Sequence, residues 1–157
     1  PDKPNKLEHH YILFRYAEIL LNYAEAMNEW KGPDAMAEGC PLTAREALNQ
    51  VRNSADMKAV TATGTEFTEK VRNERRIELA FEGHRFYDIR RWKIAGTDEV
   101  RNIYGVKIMG SDGSFSYEKV LLRQMYWDDK MYLFPYPQNE VYMNPNLTQN
   151  PGWVGDK

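Results

Sequence analysis

Between Tyr11 and Trp30, Arg15, Glu18, Asn22, Glu25 and Glu29 recur at intervals of three and four residues and make a single polar stripe. Nearly everything else in that stretch is apolar, so the spacing predicts a helix from about Tyr11 to Trp30. Phe14, Ala17, Leu20, Leu21, Ala24 and Met27 cover one flank, while Ile12, Ile19, Tyr23 and Trp30 cover another. A helix apolar on two flanks is expected to pack on more than one side, which points to stacked helices and away from a lone amphipathic surface helix.

Lys31-Gly32-Pro33 ends this helix, with glycine for the C-terminal turn and proline because it cannot continue. Thr43-Ala44-Arg45-Glu46 has the form of a capping box, in which the Thr43 hydroxyl and the Glu46 carboxylate satisfy each other's free backbone N–H groups. The helix it opens is expected to run through Ala47, Leu48 and Val51 to about Ala55. Thr61 to Thr65 reads as a flexible stretch. A third helical segment is expected from near Phe67 to about Ile94, with Gly83 as the place for a break. If it were continuous, Phe67, Val71, Phe81, Ile89 and Trp92 would share a face with Glu74, Glu78 and Arg85.

The helical period is lost from Gly96 onward. Val106 to Met109 and Ser114 to Tyr117, on either side of Asp112-Gly113, read as a small hairpin or loop excursion. Leu133-Phe134-Pro135-Tyr136-Pro137 is an extended segment, because alternate prolines forbid a helix. At most one helical turn is expected around Gln138 to Met143, followed by a tail of turns in which Trp153 staples the end down.

A chain of 157 residues that is 42% hydrophobic can build one core. Its net charge of −2 comes from acids and bases that are interleaved, so no one-sign field exists to attract nucleic acid. The single cysteine, Cys40, rules out an internal disulfide and any zinc site that needs several thiolates. No apolar run reaches the ~18 residues of a membrane-spanning helix. Pro1 to Lys6 reads as a polar linker and the chain opens on Pro1, so it is expected to be a piece of something longer. His9-His10 beside that linker is read as solvated or as a helix entry.

The densest chemistry lies between Glu74 and Trp92, where four carboxylates, five arginines and one histidine occupy nineteen positions. Glu74 and Glu78 could be an acid and base pair of the kind a glycosidase uses. Each acid, however, has an arginine within one helical turn, so Glu74, Arg75, Glu78, Glu82, Arg85 and Asp88 are read as a structural ion network. Within it, Arg75 is expected to meet Glu78, and Arg85 to meet Glu82 or Asp88. Glu78, Glu82 and His84 lack a metal-ligand spacing, so no metal is expected. No nucleophile motif occurs, Cys40 has no nearby base, and neither a catalytic residue nor a cofactor is expected. Tyr126-Trp127 lies in a polar, aperiodic stretch and is the candidate ligand-binding pair, an exposed platform for a sugar ring, with a plug against the helices as the plainer role for Trp127.

Four runs of residues carry a resemblance. They are Arg15 to Ala26, Ala47-Leu48-Asn49-Gln50-Val51-Arg52, Glu74 to Trp92, and the tail Phe134-Pro135-Tyr136-Pro137-Gln138-Asn139-Glu140 with Asn144 to Trp153. In that order they resemble the C-terminal region of the SusD/RagB family, with Tyr136 standing where an aliphatic residue is common. The stretch from Gly96 to Lys130 matches least.

The resemblance implies a mainly α fold of tetratricopeptide-like helix pairs with a small hairpin or loop excursion and an extended C-terminal tail. Residues 1–157 would form a single C-terminal domain fragment, helical over 1–95, with the excursion over 96–132 and the tail over 133–157. It further implies a non-catalytic protein that captures oligosaccharides, or peptides in the RagB branch, on the extracellular face of a Bacteroidetes outer membrane. That protein would hand its ligand to a SusC-like, TonB-dependent transporter. Its only membrane attachment would be an N-terminal lipid anchor outside this chain. A helical-repeat adaptor and, more distantly, a glycoside hydrolase are the alternatives.

Overall fold

A computed structural model describes residues 13–111 and 113–153, which fall into two compact units, Pro1–His84 and Arg85–Lys157. The described chain is mainly helical, with one two-stranded sheet. The linker Pro1 to Lys6, His9-His10, Tyr11, Ile12 and Asp112 lie outside the described residues.

The first unit is built from α1 (Tyr16–Lys31), α2 (Ala44–Asn53) and α3 (Gly64–Glu78), with α1 packed on both α2 and α3. Leu20, Leu21, Ala24 and Met27 form the buried stripe of α1 at helical spacing. They meet Ala44, Ala47, Leu48 and Val51 of α2 and Phe67 and Val71 of α3, with Val60 and Leu79 closing the cluster. Fully burying a Leu, Val or Phe side chain stabilises by ~1.5–3 kcal/mol, so this cluster is the main cohesive element of the unit. The second apolar flank of α1 is only partly covered: Tyr23 is half-buried and donates to the Leu42 carbonyl, whereas Ile19 and Trp30 are exposed.

Three boundaries differ from the sequence expectation. The first helix begins at Tyr16 and not near Tyr11, because Arg15 is extended and its side chain is committed to the far end of α3. The stretch after α2 is tied down: Arg45 donates to the carbonyls of Val60 and Ala62 at 3.0 and 2.8 Å, and Asn49 accepts from the Val60 N–H at 2.8 Å. α3 then starts at Gly64 and stops at Glu78, and turns over residues 79–83 separate it from α4 (His84–Arg91). The break thus falls just ahead of Gly83, the place the sequence offered for it, and the face that an unbroken helix would have carried through Phe81 is not formed. Phe81 has a left-handed backbone (φ 66°) and a fully exposed ring.

The capping box of α2 is formed as its sequence dictates. The Glu46 N–H donates to the Thr43 hydroxyl at 3.1 Å, and the Thr43 N–H donates to the Glu46 carboxylate at 2.7 Å. The Gly32 N–H likewise closes α1 onto the Asn28 carbonyl at 2.9 Å.

The second unit contains most of α4, then the short α5 (Asp98–Arg101), β1 (Asn102–Ser111), β2 (Ser114–Gln124), a 3-10 turn (Asp129–Tyr132) and α6 (Gln138–Met143). β1 and β2 pair antiparallel from Ser111↔Ser114 to Asn102↔Gln124, with a bulge at Ile103/Tyr104. This hairpin is much longer than the four-residue arms expected. Gly113 supplies the positive φ of 84° that its turn requires.

Beyond the hairpin the two halves of the tail clasp each other. Gln149 accepts from the Tyr136 N–H at 2.8 Å and donates to the Tyr136 carbonyl at 3.0 Å. Asn150 donates to the Phe134 carbonyl, and the Trp153 indole donates to the carbonyls of Lys130 and Leu133. Prolines strip donors from the extended segment 133–137, and these side chains supply its partners instead.

Candidate functional site

The acids of the 74–88 run are engaged through guanidinium groups, several of which come from far away in sequence. Arg15 donates through Nε to Glu82 at 2.9–3.0 Å and through its Nη atoms to the Glu78 carboxylate and carbonyl. Its hydrogen bonds to Glu82 and then Glu78 hold the Arg15 pKa above its ordinary value, so it stays charged at any working pH. Glu78 and Glu82 thus share Arg15, a partner from just ahead of α1 that helical spacing within the 74–92 run does not reveal. Arg75 is buried and donates to Asn22 at 2.6 Å, with His84 3.5 Å away. Glu74, also buried, is met by Arg52 of α2. Asp88 is buried and pairs with Arg91 at 3.0 Å, and Arg85 lies 6.0 Å from the Trp92 ring centre.

A carboxylate that is to give or take a proton needs a free face toward a substrate. Glu78 and Glu82 share one guanidinium and Glu74 is buried against another, which leaves them suited to tying α1, α2 and α3 together. Among the described residues no cluster of three or more His, Cys, Asp and Glu side chains could hold a metal ion.

Tyr126 and Trp127 do not form an exposed pair. Tyr126 is exposed, with its hydroxyl 3.5 Å from Asp128. Trp127 is half-buried, edge-on to Tyr132 at 4.8 Å and 5.3 Å from the Arg90 guanidinium. Its indole also lies against Gly96, where a Cβ would come within 2.8 Å of Cδ1, so only glycine fits there without a shift. The plainer sequence reading of Trp127 as a plug foresaw some burial, but not these neighbours, which come from three separate segments, α4, the turn at Gly96 and the 3-10 turn.

Sequence reasoning also missed two features of the second unit. Arg90 lies 3.6 Å over the Phe86 ring and 5.9 Å from Phe134, whose ring stacks on Phe86 at 5.9 Å, forming a cation and aromatic cluster. Beside it is a cleft of about 700 Å3, bounded by the end of α4, the 3-10 turn and the Pro151-Gly152 turn. Arg90, Arg91, Lys93 and Tyr132 are among its walls.

A family model described as the SusD family matches residues 2–153. The chain belongs to the SusD family. SusD-like protein P2 of Formosa agariphila is 34% identical over 149 residues, covering 91% of this chain and 26% of the relative. SusD-like protein P38 of the same organism is 29% identical over 150 residues, covering 88% and 24%. The crystal structure of a SusD-like protein from Bacteroides fragilis superposes with a TM-score of 0.72 at 36% identity, over 91% of this chain and 26% of that one. This chain therefore spans about a quarter of the length of the SusD-like proteins it matches. On this SusD-family frame, the tail motifs are the two halves of the clasp and the 74–92 motif spans the turn between α3 and α4.

Proposed function

We propose that this chain is the C-terminal quarter of a glycan-binding surface lipoprotein that captures oligosaccharides without chemical change. The ligand passes to a SusC-like, TonB-dependent transporter in a Bacteroidetes outer membrane, and an N-terminal lipid anchor outside this chain holds the protein at the extracellular face. The observation that carries the reading is the SusD-family match running from residue 2 to 153. The engagement of Glu74, Glu78 and Glu82 by arginines supports a binding role over hydrolysis, since none is left as a separated acid and base. The packing of α1 on α2 and α3 supports the tetratricopeptide-like arrangement of the helical part. The six residues of the ion network act as struts, and the ligand is met by the second unit and by parts of the protein beyond this chain.

The test is affinity electrophoresis of the full-length protein through gels cast with a panel of neutral and acidic polysaccharides, paired with a reducing-sugar assay on the same panel. Retardation by at least one polysaccharide, with no sugar released, is the expected outcome. Release of reducing sugar would replace the binding role with an enzymatic one, and passage unretarded through the whole panel would remove glycan capture.

A further inference from the structure

The cleft of the second unit holds more positive charge than its own contacts use. Arg90, Arg91, Lys93 and Lys130 line it against the carboxylates of Asp128 and Asp129. Lys130 lies 3.8 Å from Asp128, and Arg91 is paired with the buried Asp88 at 3.0 Å. Among the described residues, neither Arg90 nor Lys93 has a carboxylate partner.

Arg90 is fixed in place without being neutralised. Phe86 and Trp127 hold its guanidinium, one Nη donates to the Phe86 carbonyl at 2.9 Å, and its buried Nε has no partner among the described residues. A buried donor on a cation is costly to leave unmet, and such groups in native proteins are nearly always satisfied.

Lys93 supplies an independent sign. Its φ of 54° places it in the left-handed region, just past the end of α4, where glycine is at ease and a lysine is strained. Its side chain is exposed and, among the described residues, makes no ion pair that would offset that cost. Nor does the negative end of α4 cancel the field. The carbonyls of Asp88, Ile89 and Arg90 are already taken by the N–H groups of Trp92, Ile94, Ala95 and Lys93.

We propose that this cleft binds the anionic group of an acidic sugar, a uronate carboxylate or a sugar sulfate ester, with Arg90 and Lys93 as its charged contacts and Tyr132 as a wall for the ring. The proposal rests on the glycan-binding reading above and narrows it to acidic glycans. A volume of about 700 Å3 falls within the ~300–1,000 Å3 of small-molecule sites. Both anions offer the charge and acceptor oxygens that a guanidinium and an ammonium recognise.

The test titrates the full-length protein calorimetrically, at low and high salt, with tetragalacturonate, its carboxyl-reduced neutral form and a sulfated galactan tetrasaccharide. One anionic probe is expected to bind at least about five-fold more tightly than the neutral form, with the preference shrinking as salt screens it. Which anion wins distinguishes carboxylate from sulfate. Lys93→Gln, at an exposed position that leaves the fold intact, should weaken the preferred probe about three-fold, and Lys93→Glu should weaken it further. Equal affinity for neutral and anionic probes, or an anionic preference untouched by Lys93→Glu, would overturn the acidic-sugar site and leave glycan capture standing. Failure to bind any of the probes overturns the site as well, and the polysaccharide panel then decides glycan capture separately.

Discussion

Glu74 carries a charge into the contact between α2 and α3, and Arg52 is what makes that tolerable. The Arg52 guanidinium meets the Glu74 carboxylate, while its Nε donates to the Lys58 carbonyl at 2.8 Å, so the arginine is held from both sides. Removing one member of such a pair strands the other. Glu74→Ala is expected to destabilise the protein by about 3 kcal/mol in urea unfolding, and Arg52→Ala by a comparable amount. The double variant should lose clearly less than the sum, because no lone charge remains. Simple additivity would mean that the two charges do not sense each other. That these acids need arginines was legible in the sequence, but the distant partners of Glu74, Glu78 and Glu82 were not. Reasoning from helical spacing sees only the next turn, whereas Arg15 reaches Glu78 and Glu82 across 63 and 67 residues.

At the scale of elements, α2 shows how a local rule survives into the fold. The box of Thr43 and Glu46 needs only residues three apart, so sequence alone locates it. Hydrogen bonds from the Thr43 backbone and then its side chain hold the Glu46 pKa below the ordinary carboxylate value. A depressed folded-state value means that the box's stabilisation is complete above the unfolded-state pKa and is lost as pH falls through the lower folded one. Glu46→Ala should therefore lower the melting temperature at neutral pH, and the gap to the parent should narrow below roughly pH 4. A gap in melting temperature that stays constant between neutral and acidic buffers would count against the reciprocal bond. The break between α3 and α4 was far less legible. Apolar residues continue at helical spacing through Ile77 and Phe81, and only Gly83 marks the site. The turn includes Phe81, which adopts a backbone that no propensity scale would assign to phenylalanine.

Across the whole molecule, the two units are stabilised in different ways. The first is organised around a contiguous core in which Leu21, Leu48, Phe67 and Val71 are fully buried. The second has few buried side chains, Ala95 and Asp88 among the described residues, and is held by ring contacts, the tail clasp and the hairpin ladder. Its two tail motifs could each be read as extended or turn-forming from their prolines. That one motif binds the other could not, because the pairing of Gln149 with Tyr136 depends on a chain reversal with no periodic signature. In the hairpin, Val106, Ile108, Phe115, Tyr117 and Leu121 are all exposed, so its ladder bonds lack an apolar cover. A two-stranded ribbon without such a cover is marginal in water, and amides open locally in proportion to how little is packed over them. In this chain, hydrogen exchange should be slowest for the amides of Leu20 to Met27 and Leu48 to Val51, while the ladder-bonded amides of β1 and β2 exchange at least about tenfold faster. Hairpin amides as slow as those of α1 would show that the ribbon is covered in solution, and its exposed aromatic and branched side chains would then be the surface to search for what covers it.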